Sequence, residues 1–164
     1  MKGQANENIA LSEATLKLSE LLPSILNEPK VEYGTKIDEL VLKAPKELIQ
    51  TICKTLQINN DLFFDYLRCL SVVDYEDFLE INYHLFSYTK RHKMVLKCEL
   101  SPNQPSISSV SNIWKAANWF EREAHDLFGV VFEEHPSLDR LLLPDDFDGN
   151  PGLKSYPLHE YKEW

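Results

Sequence analysis

The sequence predicts an α+β fold: a two-layer domain with a mainly antiparallel sheet packed by helices on one face, followed by an extended Pro-rich C-terminal tail. Three observations predict it. Leu79, Ile81, Tyr83 and Leu85 alternate with Glu80, Asn82 and His84, and Met94, Leu96, Cys98 and Leu100 alternate with Val95, Lys97 and Glu99. This period of two marks a hairpin with one buried and one mostly wet face. Residues 9–22 and 46–57 carry apolar side chains at helical spacing, which gives the sheet its covering layer. After Gly129, Pro136, Pro144, Pro151 and Pro157 punctuate the chain, a density that excludes long helices and central strands. A chain of 164 residues has enough length for one real core.

The elements follow in order. Leu11, Ala14, Leu18, Leu21 and Leu22 line one face of the first helix, and Pro23 is expected to end it or to begin a new turn. Residues 27–33 read as a loop, and Ile37 to Lys43 as a strand with Leu40 and Leu42 on one face and Val41 on the other. Ala44-Pro45 breaks that strand. Pro45 then opens a helix over 46–57, with Leu48, Ile49, Ile52 and Leu56 inward. Residues 62–73 are apolar without a clear period, a short helical or extended piece leading into a strand. Asp74 to Asp77 is a turn, the hairpin follows, and the Ser- and Pro-rich stretch 101–111 is a loop or edge segment. The division is 1–28 as an N-terminal helical segment, 29–132 as the α+β domain and 133–164 as an extended, partner-binding tail.

A net charge of −9 argues against general nucleic-acid binding, which needs a basic footprint. Cys53, Cys69 and Cys98 are widely spaced and odd in number, so neither a disulfide framework nor an Fe–S or all-Cys metal site is expected within this chain. No apolar run reaches the length of a membrane span, and the first residues lack the apolar core of a secretory signal. The expectation is a cytoplasm-like compartment, with membrane contact only through partners.

Chemistry-bearing residues concentrate between Asn118 and Gly129. Ile113, Ala117, Phe120, Ala124 and Leu127 fall on one helical face, Asn118 with Glu121 resembles a capping box, and Gly129 sits where a left-handed cap belongs. Glu121 and His125 then occupy one flank, Arg122 and Asp126 the back, and Glu123 and Trp119 the other flank. Arg122 ahead of Asp126 is the less favourable order for a helix dipole, so local stability explains the pattern poorly. Trp and Arg outside the core face suggest a surface built to contact something. The chemical alternative is a metal held by Glu121 and His125 at i, i+4 in a free-standing metal-dependent enzyme, which would need further ligands. Asp145 to Gly149 lacks the ligand spacing of a calcium loop and reads as a solvated acidic turn. Leu141 to Leu143, Phe147, Leu153, Tyr156, Leu158, Tyr161 and Trp164 make the tail too apolar to be left in water. Such a tail either lies along another protein or wraps back over its own core, the second being more natural for 130–144 than for 145–164.

These residues carry a family resemblance. Glu121-Arg122-Glu123-Ala124-x-Asp126-Leu127-Phe128-Gly129 resembles the signature of the 30-kDa (C-type) subunit of respiratory NADH:quinone oxidoreductase, complex I. His135-Pro136-x-Leu138-x-Arg140-Leu141-Leu142-Leu143-Pro144-Asp145-Asp146-Phe147, Gly149-x-Pro151, Asp74-Tyr75 and Tyr83-His84-Leu85 continue it, so that the likeness spans roughly residues 30–158. The chain departs from the pattern at His125, where the family usually has an aromatic residue, at Lys115 in place of a common proline, and at Leu153 and Ser155, where a basic and an acidic residue usually flank Lys154.

The resemblance implies a non-catalytic peripheral-arm subunit without a redox cofactor, with Fe–S clusters and FMN held by partner subunits. It implies docking on the D-type (49-kDa) subunit beside the B-type Fe–S subunit, at the cytoplasmic face of the inner membrane, in a complex that passes electrons from NADH to quinone and translocates protons. Related subunits serve [NiFe] hydrogenases, F420H2 dehydrogenases and ferredoxin-fed quinone oxidoreductases, which are the alternative settings. The expected partner-binding residues are Trp119, Glu121, Arg122, Glu123, Asp126, His135, Arg140, Asp145, Asp146 and Tyr156, with no catalytic or metal-binding residue in the chain.

Overall fold

The computed structural model describes residues 11–157. Helix α1 spans Glu13–Leu26 and starts at Ser12, whose Oγ accepts the Thr15 N–H at 3.3 Å. Pro23 lies inside this helix rather than ending it. Proline removes a single ladder hydrogen bond, and the apolar face that holds the helix continues past it through Ile25 and Leu26. Asn27, at φ 45°, closes the helix by donating its N–H to the Pro23 carbonyl. Leu18 and Leu22 are fully buried in the common core, so residues 13–26 belong to the domain's own covering layer.

Strands β1 (Glu32–Lys36) and β2 (Glu39–Lys43) form a hairpin that the sequence pattern does not reveal. All of β1 is exposed and carries no alternation to read. Ile37 and Asp38, expected inside the strand, are instead the two-residue turn, with φ of 50° and 56°. Positive φ at both positions is what twist-matched hairpin turns need, and they are more often Asn-Gly. A short 3-10 turn (Lys46–Leu48) leads into α2 (Ile49–Ile58), which buries Ile49, Ile52, Cys53 and Leu56.

Strands β3 (Tyr66–Asp74), β4 (Leu79–Phe86) and β5 (Lys93–Leu100) complete a five-stranded sheet in the order β1-β2-β5-β4-β3. Every pairing is antiparallel except β2 with β5: the α2 crossover carries the chain from β2 to the far edge at β3, and the antiparallel β3–β4–β5 meander returns it to lie parallel beside β2. Leu40, Leu42, Leu70, Leu79, Ile81, Tyr83, Leu85, Met94, Leu96 and Cys98 point to the helical layer. The opposite face is less wet than expected. Glu80 and Asn82 are buried there because long charged side chains lie across the strands. Lys97 Nζ reaches Glu80 at 2.6 Å, Lys43 reaches Glu99 at 2.6 Å, and Arg68 and Lys93 both approach Glu39.

Strand β6 (Ser106–Ser108) pairs in parallel with β7 (Val131–Glu133), and between them lies α3 (Ala117–Phe128) against β3. Residues 110–116 form a separate turn, in which the Val110 carbonyl accepts the Ile113 and Trp114 N–H groups.

Candidate partner interface on α3 and the C-terminal segment

Helix α3 is placed by a stripe one position round from the one its apolar residues suggest. Ala117, Glu121 and Ala124 are its inward residues, while Phe120 and Leu127 sit half-buried at the edge beside β3. Glu121 is fully buried, not on an exposed flank. It does not reach back to Asn118 as a capping box would, and the helix starts without a side-chain cap. Its carboxylate instead accepts the Val110 N–H at 2.7 Å and the Ser109 hydroxyl at 2.6 Å, tying α3 to the chain after β6. Burial pushes the Glu121 carboxyl up to about 7, and those two donors only partly offset it.

The imidazole nearest Glu121 belongs to His135. Its Nε2 lies 3.8 Å from Glu121 Oε2. Nε2–H donates to the Asn118 carbonyl at 3.3 Å, while Nδ1 accepts the Ser137 N–H at 3.1 Å, which fixes a neutral ring. Burial lowers the His135 pKa and favours the same form. His125 turns elsewhere: its Nδ1–H donates to the Val130 carbonyl at 2.9 Å. Glu121 and His125 therefore do not converge on a shared ligand position. Among the described residues no group of three His, Cys, Asp or Glu side chains is arranged to hold a metal ion.

Asp126 is the second inward carboxylate, only 2% exposed. One oxygen, Oδ2, accepts three successive backbone N–H groups, from Leu141, Leu142 and Leu143, at 3.1, 2.8 and 2.9 Å. Burial by itself raises this carboxyl. The N–H groups of Leu143, Leu142 and Leu141, with Arg140, outweigh it and hold the group below its ordinary value. Arg122 grips the same segment one turn back. Its Nε donates to the Asp139 carbonyl and its Nη2 to the Arg140 carbonyl, each at 2.9 Å, while its Cζ sits 5.2 Å from the centre of the Trp119 ring. Arg122 and Asp126 thus act on the tail rather than on each other, which explains an order that makes a poor intrahelical pair.

The tail also finishes the helix. The last carbonyls of an α-helix lack internal partners. Here His125 O receives the Gly129 N–H, with Gly129 at φ 73°. Asp126 O receives the Asn150 side-chain amide at 3.0 Å, and Leu127 O receives the Gly152 N–H at 2.8 Å. A side chain at position 152 would collide with the Leu127 carbonyl and the Phe128 ring, each at 2.8 Å. Leu138 and Leu153 pack on the core, Phe147 stacks with Tyr156, and the Lys154 N–H reaches Asp74 Oδ2 at 2.8 Å. The segment is irregular, as its prolines predict, but through residue 157 it is folded onto its own domain. The expectation that 145–164 lies mainly on another protein is corrected for its described part; residues 158–164, with Leu158, Tyr161 and Trp164, lie outside the described residues.

The ten expected interface residues therefore divide. Glu121, Asp126 and His135 are internal, Arg122 and Arg140 donate to backbone carbonyls, and Tyr156 is half-buried in a stack. Trp119, Glu123, Asp145 and Asp146 face solvent, Trp119 at 60% exposure. Ser109, Asn150 and Gly152 had no expected role. Asn and Gly in the last turns before Pro157 were the available signal, being residues that satisfy or approach backbone closely.

A mixed α+β domain whose charged helix is welded to its own C-terminal segment is a class of structural module. Comparison with known proteins specifies it. Residues 42–162 match the family model described as the respiratory-chain NADH dehydrogenase 30 Kd subunit, and the chain belongs to that family. It is 39% identical over 123 residues to the C subunit of NADH-quinone oxidoreductase from Roseiflexus castenholzii, covering 73% of this chain and 71% of that one. With the corresponding C subunit of Salinispora tropica the identity is 38% over 153 residues, 91% of this chain and 59% of the relative. The C subunit of Chloroherpeton thalassium is 44% identical over 113 residues, 68% of this chain and 47% of that protein, so the chain spans about half the length of some relatives. In fold it is similar to a chain from the membrane-bound sulfane sulfur reductase, an archaeal respiratory membrane complex (TM-score 0.74, 24% identity, 87% and 86% of the two chains). It is also similar to the trypsin-resistant fragment of Nqo5 (TM-score 0.59, 21% identity, 74% and 99%).

Proposed function

We propose that this chain is a non-catalytic peripheral subunit of a proton-translocating NADH:quinone oxidoreductase, docking on the D-type (49-kDa) subunit beside the B-type Fe–S subunit. The observation that carries the proposal is the match of residues 42–162 to the 30 Kd subunit family, with relatives named as the C subunit of NADH-quinone oxidoreductase at up to 44% identity. The geometry agrees with an assembly role. Glu121, Arg122 and Asp126, three of the four charged residues of the motif, bind the chain's own backbone and the Ser109 hydroxyl, while Glu123 faces solvent. The Fe–S clusters and FMN belong to partner subunits in this reading, and the chain contributes shape. No helix among the described residues is long and apolar enough to cross a membrane. The proposed place is the cytoplasmic face of the inner membrane, reached through the complex.

The fold alone does not choose the electron donor, since it is also similar to a chain of a sulfane sulfur reductase complex. The relatives' names support NADH. Affinity recovery of the tagged chain from gently solubilised native membranes tests the reading. D-type and Fe–S subunits with NADH:quinone activity are expected in the eluate. Recovery of the chain only as a free monomer overturns it, and a Ni-containing large subunit without an NADH-binding one replaces it with the hydrogenase setting.

A further inference from the structure

The α3–tail module does one thing that internal stability does not require: it presents two large apolar side chains to solvent. Leu141, Leu142 and Leu143 form one apolar run. Asp126 takes all three of their N–H groups on a single oxygen, which fixes the backbone of the run. With the backbone so held, Leu141 and Leu143 are half-buried and Leu142 is 59% exposed. Trp119 is 60% exposed on the neighbouring helix. The Arg122 guanidinium links the Trp119 ring to the segment that leads into the leucine run, through the Asp139 and Arg140 carbonyls. A lone exposed leucine needs no explanation. An exposed tryptophan and an exposed leucine, each locked by a charged side chain on the same module, form a preorganised pair, and preorganisation lowers the cost of binding.

From Trp119 to Asp148 the exposed charges are all acidic, with exposed Lys115 just before this stretch. Glu123, Asp139, Asp145, Asp146 and Asp148 are all exposed, and among the described residues none of them pairs with a base. From Trp119 to Asp148 there are nine acidic residues and two arginines, and both arginines donate to backbone carbonyls. Potentials across an interface are complementary, and rim charges steer the encounter.

We propose that Trp119 and Leu142 are the apolar anchors with which this chain seats on a neighbouring protein subunit, in apolar pockets rimmed by lysine or arginine. Arg122 and Asp126 are positioning residues that set the anchors without touching the partner. The proposal rests on the subunit reading above and specifies the chemistry of its contact.

The test compares recovery of the intact complex from native membranes by tagged wild-type chain, Leu142→Asp, Trp119→Ala and the exposed double variant Asp145→Lys/Asp146→Lys. Each purified variant is checked for an unchanged thermal melt; should Leu142→Asp lower it, the charge variant, which alters exposed side chains only, carries the test. Leu142→Asp and Trp119→Ala are each expected to reduce recovered partner about tenfold, the scale of an interface hot spot. The charge reversal is expected to slow association and to weaken the dependence of wild-type recovery on salt. If wild type recovers the complex and all three variants recover it equally, at every salt concentration, the anchor proposal is overturned and the subunit reading stands. If wild type itself recovers no partner, the subunit reading falls and the proposal with it.

Discussion

The open face of the sheet and the α3–tail face handle charge in opposite ways. On the sheet, carboxylates meet ammonium or guanidinium groups: Glu80 with Lys97, Glu99 with Lys43, and Glu39 with Lys93 and Arg68. These pairs roof the strands with the aliphatic stems of the basic side chains and bury Glu80 and Asn82 beneath them. On the α3–tail face the buried carboxylates bind N–H and O–H groups, and the exposed ones from Glu123 to Asp148 form no ion pair among the described residues. The first surface is closed on itself. The second ties its buried carboxylates to its own backbone and the Ser109 hydroxyl, leaving only Asp126 Oδ1 without a partner among the described residues, and its exposed charges from Trp119 to Asp148 are all acidic, which is the arrangement that favours a charged partner.

The largest expected effect breaks the second surface from inside. Asp126→Ala removes one acceptor from three N–H groups at once, and donors left without a partner cost more than the bond is worth. The tail should loosen and the domain lose about 3 kcal/mol, read as a fall in the urea midpoint together with new proteolytic cleavage between 138 and 157. An intact tail in that variant would show that apolar packing of Leu138 and Leu153, rather than the carboxylate, holds the segment.

A smaller effect separates the two buried acids. The Glu121 carboxyl is raised to about 7, by burial first. In the unfolded chain it titrates near its ordinary value of 4.5, so its contribution to stability is fully present below that value and is lost as pH rises through about 7. Glu121→Gln keeps an acceptor for Val110 without the charge. Relative to wild type it should gain stability between pH 5 and pH 8, by up to ~2 kcal/mol. Asp126, held below its ordinary value, has the opposite sign: its contribution is present above the unfolded value and fades as pH falls through the folded one. Denaturation curves at pH 5 and pH 8 for wild type and Glu121→Gln decide it; parallel pH profiles would show that Glu121 is not the buried titrating group.

The fold was readable where pattern and chemistry agree, and the site was not readable where they conflict. Alternation in β4 and β5 and the helical faces of α1 and α2 placed the core correctly, because apolar residues there do what their period says. β1 carries no pattern since every residue in it is exposed, and its Ile37-Asp38 turn uses residue types that rarely accept positive φ. On α3 the error was specific. A charged residue was assigned outward by default, yet Glu121 and Asp126 point inward because the chain before and after the helix supplies donors for them. Those donors are backbone N–H groups and a serine, which have no signature in the sequence. The tail likewise looked partner-bound because the surfaces it covers, the helix-end carbonyls at Asp126 and Leu127 and the carboxylate of Asp74, are far from it in the chain.

The smallest effect comes from the sheet face and serves as the control for everything above. Lys97→Met keeps the aliphatic stem that covers Glu80 and removes the charge. Glu80 is mostly buried, and Lys97 is about a quarter exposed, so this pair should be worth more than a fully exposed one. It is nonetheless one bond on a surface with water close by, and about 1 kcal/mol is the expected cost. Lys43→Met, at a pair in which both side chains are about 40% exposed, should cost less than about 0.5 kcal/mol, close to the error of the measurement. Neither variant should alter recovery of partner subunits, because a surface whose charges are already paired has little left to offer. If Lys97→Met or Lys43→Met strips the partner while Leu142→Asp does not, the contrast is inverted: the self-paired sheet is then the docking face, and its ion pairs must open and exchange partners on assembly.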